Sequence, residues 1–356
     1  MNPAFDRIIS ADEETQLGLF TTTAQRLGTT PQNAEKDFWV CWTLDALFNG
    51  LPAGPRLLFK GGTSLSKGFG IIRRFSEDID VTVFRDDLGH AASIEELRAM
   101  SGKKRKAALD AIKSACEAHI NGPLMTELSE IIANTARRNG LAEGKLVIEP
   151  DPEDDQALYV RYPTATPTDT YISKAVKIES GAKSALDPHS VRSLRPYLED
   201  DAPGIDLSVN NIKIVDAERT FWDKVVILHG LRRWFDKRGE LRGGGQRVSR
   251  HYYDVHQLMA SEVGERAIED PALGVDCVTH ARMFFNRPDF DLITAVSPTF
   301  ALTPKGGMYD VLRLDYRAMA GMIFGEAPEF DVVIERIAEL ETKLNAKVDT
   351  SVEVAD

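Results

Sequence analysis

Cysteine is scarce: three occur in 356 residues, Cys41, Cys116 and Cys277, far apart in the chain. They form no metal-type spacing, and an odd, sparse count excludes a disulfide framework and fits a reducing compartment. The seven histidines make no HExxH or related cluster, which removes a structural zinc site from consideration. No apolar run approaches the roughly 20 residues that span a bilayer, so no membrane partner is expected. The opening stretch MNPAFDRIISADEETQ has no basic segment leading into an apolar one. No secretory signal is visible there, and a cytoplasmic chain is the expectation. Positive charge is also in deficit. Lys and Arg total 43 against 55 Asp and Glu, a net charge of −12, which argues against indiscriminate nucleic-acid binding. Internal repeats and low-complexity tracts are absent.

What is there is the composition of a globular protein, 43% apolar and 28% charged, long enough for two ordinary domains. Residues 12–27 and 33–50 carry apolar positions at helical spacing. RLLFK reads as a strand, GGTSLSKGFG as a turn into a short helix, and DIDVTVF as an alternating, β-branched strand. A helical, polar-faced stretch fills 92–140. KLVIEPD, ALYVRYP and YISKAVKIESG then supply short alternating segments that complete a sheet. From DAERTFWDKVVILHGLRRWFDK onward the pattern is helical, with RHYYDVHQLMAS, MYDVLRLDYRAMAGMIF and FDVVIERIAELETKLN as its later members. The expected fold is α+β. A mixed-sheet domain over 1–215, with a helical insertion at about 86–150, precedes a helical domain over 216–345. A polar, frayed tail over 346–356 ends the chain.

Two features carry chemistry. In Asp-Ile-Asp, Asp78 and Asp80 share one strand face and Ile79 takes the other, which sets the two acidic residues roughly 6.5–7 Å apart at Cα. Carboxylates that close repel and call for compensation, which a divalent cation with oxygen ligands supplies. Glu179 in AVKIESG is the candidate third carboxylate, with Lys177 on its face. The alternative is that these acids are the solvated face of an edge strand. Ahead of them, Gly61 and Gly62 lie between a strand and a helix, where backbone can approach a ligand and free N–H groups attract phosphate. Thr63 and Ser64 add hydroxyls, and Lys67 lies one turn on. The spacing is not GxxxxGK[ST], so a P-loop is rejected. A phosphate grip and paired acids on adjacent elements of one sheet are together specific.

This arrangement resembles the signature of the polymerase-beta-like nucleotidyltransferase superfamily. EKDFWVCWTLDALF, FKGGTSLSKGFGIIRRFSEDIDVTVF, ERTFWDKVVILHG and RHYYDVHQL resemble, in order, the motifs of AbiEii/AbiGii-type nucleotidyltransferase toxins of type IV toxin–antitoxin and abortive-infection systems. The resemblance runs from about 33 to 340, and the insertion at 86–150 carries none of it. It implies a polymerase-beta-like mixed sheet with flanking helices followed by an all-helical domain. It implies that Gly61, Gly62 and Ser64 hold a nucleoside triphosphate and that Asp78 and Asp80 bind Mg²⁺. Lys224 and Asp254 match the third and fourth motifs and would face the cleft. A cognate antitoxin encoded nearby is implied as well, with direct contact not required.

Read as residues alone, Lys224 lies beside the apolar stripe of Phe221, Val225 and Leu228. It is either a cation for triphosphate charge or a snorkelling surface lysine. Asp254 is either a site acid or the partner of Arg219, Arg247 or Arg250. The expected reaction moves NMP from an NTP to an acceptor. The resemblance points to the 3′ end of tRNA, which would block translation. Residues 232–250, with seven Lys or Arg against two acids, are a candidate RNA-backbone contact. A second basic cluster is Lys103, Lys104, Arg105 and Lys106. A small-molecule or protein acceptor, and a toxin that binds nucleotide or RNA without transfer, stay open.

Overall fold

A computed structural model describes residues 1–76, 78–167 and 174–346. From residue 347 on, the expected tail lies outside the described residues, as does the start of the YISKAVKIESG segment, residues 171–173. The chain divides into two compact units. One is Met1–Ala217 with Met322–Glu326; the other is Glu218–Gly321 with the chain from Ala327 onward.

The first unit opens with helices α1 (Phe5–Ile9), α2 (Glu13–Leu27) and α3 (Pro31–Asp45). Each boundary has a local cause. The Asp12 side chain accepts from Thr15 N at the start of α2, and Gly28 ends it in the left-handed region at φ +67°. Thr30 caps α3, with Pro31 in its first turn. Strand β1 (Leu57–Lys60) runs directly into α4 (Gly61–Lys67), and β2 (Asp78–Val83) follows. The insertion holds α5 (Ile94–Ala99), α6 (Gly102–His119) and α7 (Met125–Arg138). The remaining strands are β3 (Val147–Pro150), β4 (Ala157–Arg161), β5 (Ala175–Gly181), β6 (His189–Leu194) and β7 (Val209–Val215).

These strands form one mixed seven-stranded sheet in the order β3-β4-β5-β2-β1-β7-β6. β2 is antiparallel to β1 and parallel to β5, and β1 is parallel to β7. The sheet is thus larger than the five strands expected. β6 went unread because its sequence, HSVRSL, is largely polar and exposed, as suits an edge. β7 was missed although Ile212, Ile214 and Val215 are buried in it. Its partner β1 lies some 150 residues earlier, and no local signal links the two.

The period-two pattern sorts the central strands into two faces. Ile79, Val81, Val83, Phe59, Val176, Ile178, Leu158 and Val160 are buried on one. Helix α3 packs on β2, β5 and β7 and adds Phe38, Trp39 and Trp42, with Trp39 stacked on Tyr162. Side chains of this size stabilise by about 1.5–3 kcal/mol each on full burial. The acids of β2 project from the opposite face.

The second unit contains α8 (Ala217–Arg238), α9 (Ser249–Met259), α10 (Glu262–Glu269), α11 (Pro271–Phe284), α12 (Gly307–Ala320) and α13 (Phe330–Asn345). α9 packs on α10, α12 and α13. Tyr252 and Tyr253 are buried in its core with Phe221, Val225 and Leu228 of α8. Asp315 of α12 caps α9, accepting from Ser249 N at 2.7 Å and Ser249 Oγ at 2.6 Å. α10 and α11 lie between the expected helices and add to the helical character of the unit.

Candidate active site

β1 ends where α4 begins, and β2 returns beside β1. Register pairs Lys60 with Asp80 across these two strands. Gly61, the first residue of α4, sits at φ +80°, a conformation that glycine adopts without strain. A Cβ on Gly61 would lie 2.1 Å from Asp80 Oδ2. The Asp80 carboxylate therefore rests on the bare Cα of Gly61, and the glycine turn and the acid form one place. Gly62 is equally tight, since a Cβ there would lie 2.3 Å from a guanidinium nitrogen of Arg74. Arg74 is buried and held by backbone pairing with Ile323.

Thr63 and Ser64 are both fully buried. Thr63 Oγ1 donates to Asp78 O at 2.5 Å and lies 2.7 Å from Ser76 Oγ, tying α4 to the start of β2. Ser64 Oγ donates to Gly61 O at 2.9 Å. Both hydroxyls thus shape the turn from inside. Lys67 is turned inward as well. Its Nζ is 2.7 Å from Asp37 Oδ1 and 3.5 Å from the centre of the Tyr197 ring, and its side chain is 3% exposed. Burial alone would lower the Lys67 pKa, but Asp37, with Cys41 and Tyr197 beside it, more than offsets this and holds it above the ordinary lysine range. The structure does not bring Lys67 to Asp80.

On the next strand, register sets Lys177 beside Asp78 and Glu179 beside Asp80. Parallel partners share a face, so all four side chains stand together. Glu179 is half exposed and 3.3 Å from Lys177 Nζ, which also lies 3.0 Å from Asp151 Oδ2. Burial alone would lower the pKa of Lys177, but the Asp151 and Glu179 carboxylates more than offset it and hold it above the ordinary lysine range. On β4, Tyr159 is in register with Lys177. Its hydroxyl is pushed up by burial and by the charges of Asp151 and Asp78. Lys60 Nζ is 3.8 Å from Asp80 Oδ1. Among the described residues, no three of His, Cys, Asp and Glu converge closely enough to enclose an ion. Two aspartates and open solvent on one face still suit Mg²⁺, which keeps water and phosphate oxygens in its shell.

Lys60 and Arg74 escaped the sequence reading, and Lys177 was placed only on the face of Glu179, without its partner Asp151. Lys60 immediately precedes the glycine pair, and Arg74 belongs to the RR pair before the strand, so both had a positional signal. The pairing of Lys177 with Asp151 had no local signal.

In the helical unit, Lys224 Nζ lies 2.8 Å from Asp254 Oδ2, with side chains 7% and 0% exposed. Two residues picked out separately on α8 and α9 thus meet in one sealed ion pair. The basic segment is largely engaged within its own unit. Arg232 donates to Thr303 O, Arg233 to Thr299 O, Lys237 to Pro288 O, and Arg238 to Asp289. Lys103, Lys104 and Lys106, by contrast, are exposed in the first turn of α6, which has no acidic residue.

Comparison with known proteins gives a family and a distant structure. The model of the family described as nucleotidyl transferase AbiEii toxin, type IV TA system, matches residues 42–338. A solved structure of the nucleotidyltransferase toxin MenT4 from Mycobacterium tuberculosis H37Rv aligns over 91% of this chain and 97% of its own. Identity is 17% and the TM-score 0.40. No curated protein matches.

Proposed function

Because the chain belongs to the AbiEii family of type IV nucleotidyltransferase toxins, we propose that it transfers NMP from an NTP to the 3′ end of tRNA, with Mg²⁺, and so blocks translation and growth. The observation that supports this most is the contact of the Asp80 carboxylate with Gly61, with Asp78 on the same face. A bound Mg²⁺ would neutralise triphosphate charge and polarise the α-phosphate for in-line attack. Asp78 and Asp80 are the residues that would hold it. The backbone N–H groups that open α4 take the phosphates, since the hydroxyls of Thr63 and Ser64 are spent internally. Lys60 and Arg74 add positive charge at the same turn.

In the step itself, the acceptor 3′ oxygen bonds to the α-phosphorus, and the bond from that phosphorus to the bridging oxygen of the β-phosphate breaks. Pyrophosphate leaves with the electron pair, and the hydroxyl proton passes to a carboxylate oxygen of Asp78 or Asp80. Following the family motif, Lys224 is assigned a role in transfer, with Asp254 holding its ammonium in place. The first turn of α6 offers RNA an open basic surface. A cognate antitoxin completes the system.

The test is incubation of the purified chain with each α-labelled NTP, Mg²⁺ and, in separate arms, total tRNA, small alcohols or a protein extract. Label is expected on tRNA, reduced at least about a hundredfold in Asp80→Ala or Asp78→Ala and on chelation. Label on alcohols or protein alone would overturn the acceptor. Absence of transfer in every arm would overturn the transfer reading.

A further inference from the structure

The strand face that carries the aspartates also carries a fixed cation, and its surroundings are built. Lys177 is registered with Asp78, and its ammonium sits between Asp151 at 3.0 Å and Glu179 at 3.3 Å. Asp151 is itself anchored: its side chain is 6% exposed and its Oδ1 accepts from Glu153 N at 2.9 Å. Lys177 is therefore held by an anchored carboxylate as well as by Glu179. The carboxylates of this face form a row in which Asp78 and Asp80 share one strand and Glu179 stands beside Asp80. A two-metal site needs a third acid to hold a second ion about 3.5–4 Å from the first. Glu179 is the acid in position to do so, and its charge is already met by Lys177.

We infer that Lys177 is a tethered cation standing in for a second divalent ion, so that the site takes one metal per chain and Glu179 is not a ligand. The inference rests on the proposed reading of Asp78 and Asp80 as the metal-holding pair. A second divalent ion at Glu179 would meet the Lys177 ammonium on the same carboxylate, and like charges at that separation repel. Lys60 does not fill the same role for Asp80. Its contact is longer, at 3.8 Å, and its side chain is more exposed. Lys177 is thus a positioning and specificity residue. It sets how many ions the acid row accepts and keeps Glu179 off the metal.

The test counts Mn²⁺ bound to the full chain by electron paramagnetic resonance. It is run with an equimolar mixture of the four α,β-methylene NTPs, which allows binding without turnover. Wild type is expected to saturate at one ion per chain, and Lys177→Met at two. Lys177→Arg, which keeps the charge, is expected to stay at one. Glu179→Gln supplies a reading independent of any folding defect in the Lys177 variants. Its count should stay at one ion, with Mn²⁺ affinity falling by less than about tenfold, the low end of what loss of even an outer-sphere partner costs. Two ions in wild type, one ion in Lys177→Met, or a loss beyond tenfold in Glu179→Gln would each overturn the inference while leaving Asp78 and Asp80 as the metal pair. No ion bound by wild type would overturn that reading and the inference with it.

Discussion

In the sheet unit, Asp78, Asp80 and Glu179 stand on an open strand face, with Lys60 and Lys177 beside them and solvent at hand. In the helical unit, Lys224 and Asp254 are closed off from water at 7% and 0% exposure. The two regions use charge differently. Open carboxylates remain hydrated, so an excess of negative charge is tolerable and available to a cation. A sealed pair has lost its hydration, so each member depends on the other. The first arrangement is built to exchange partners. The second is built to keep one side chain in one place. Changes to the first should cost activity and little stability, and changes to the second should cost both.

The sharpest way to break this comparison is at the sealed pair. Lys224→Met takes the cation away from a fully buried carboxylate and is expected to destabilise the chain by about 3–5 kcal/mol, as is Asp254→Leu. The double variant should recover most of that loss in urea unfolding and recover no transferase activity. If the single variants melt like wild type, the pair is not sealed in the sense used here.

His229 is the next largest case, and it adds a pH signature to the helical unit. Its ring is fully buried, with Nδ1 accepting from Ala301 N at 3.1 Å. Burial pushes its pKa from the ordinary 6.5 down to about 4. The folded state thus binds fewer protons here than the unfolded one between these values. The contribution is present above pH 6.5, falls as pH drops, and is lost below about pH 4. It is worth at most about 3 kcal/mol. Denaturant midpoints measured from pH 7 to 4 should fall more steeply in wild type than in His229→Gln; parallel curves would rule this out. The pKa of Lys177 is raised, so its contribution is intact in acid and fades only as pH climbs past the ordinary lysine value.

Smaller effects are expected on the sheet face. Gly61→Ala forces a side chain to φ +80° and into the Asp80 carboxylate. It should cost about 1–3 kcal/mol and weaken Mn²⁺ binding although Asp80 is unchanged; retained affinity would mean that the contact does not position the acid. Asp78→Ala is expected to change stability by less than about 1 kcal/mol while abolishing transfer. A large drop in melting temperature would contradict the picture of an open face.

Much of this was legible from local pattern. Alternation in DIDVTVF put both aspartates on one face, and the helical spacing around Phe221 and Tyr252 marked α8 and α9. The Gly-Gly turn ahead of the strand identified the other half of the site. Two kinds of feature were hidden. β6 is polar because it is an edge, so it lacked the alternation by which strands are recognised. Lys177, Lys60 and the meeting of Lys224 with Asp254 depend on neighbours that are not neighbours in the chain. The hydroxyls of Thr63 and Ser64 looked available for a ligand, yet Thr63 donates to Asp78 O of β2 and Ser64 to Gly61 O of its own turn.

The order of residues by itself determined which side chains share a strand face or a helix stripe. Those relations follow from the 2.0 and 3.6 periodicities of the backbone and need no partner. Only the tertiary structure decided what stands opposite each face. It laid β5 along β2 so that a lysine and a glutamate from one strand meet two aspartates from another, and it closed water out around one ion pair while leaving the other acids wet. Register and burial are properties of contacts between distant segments, and the strength of every charge here is set by those contacts.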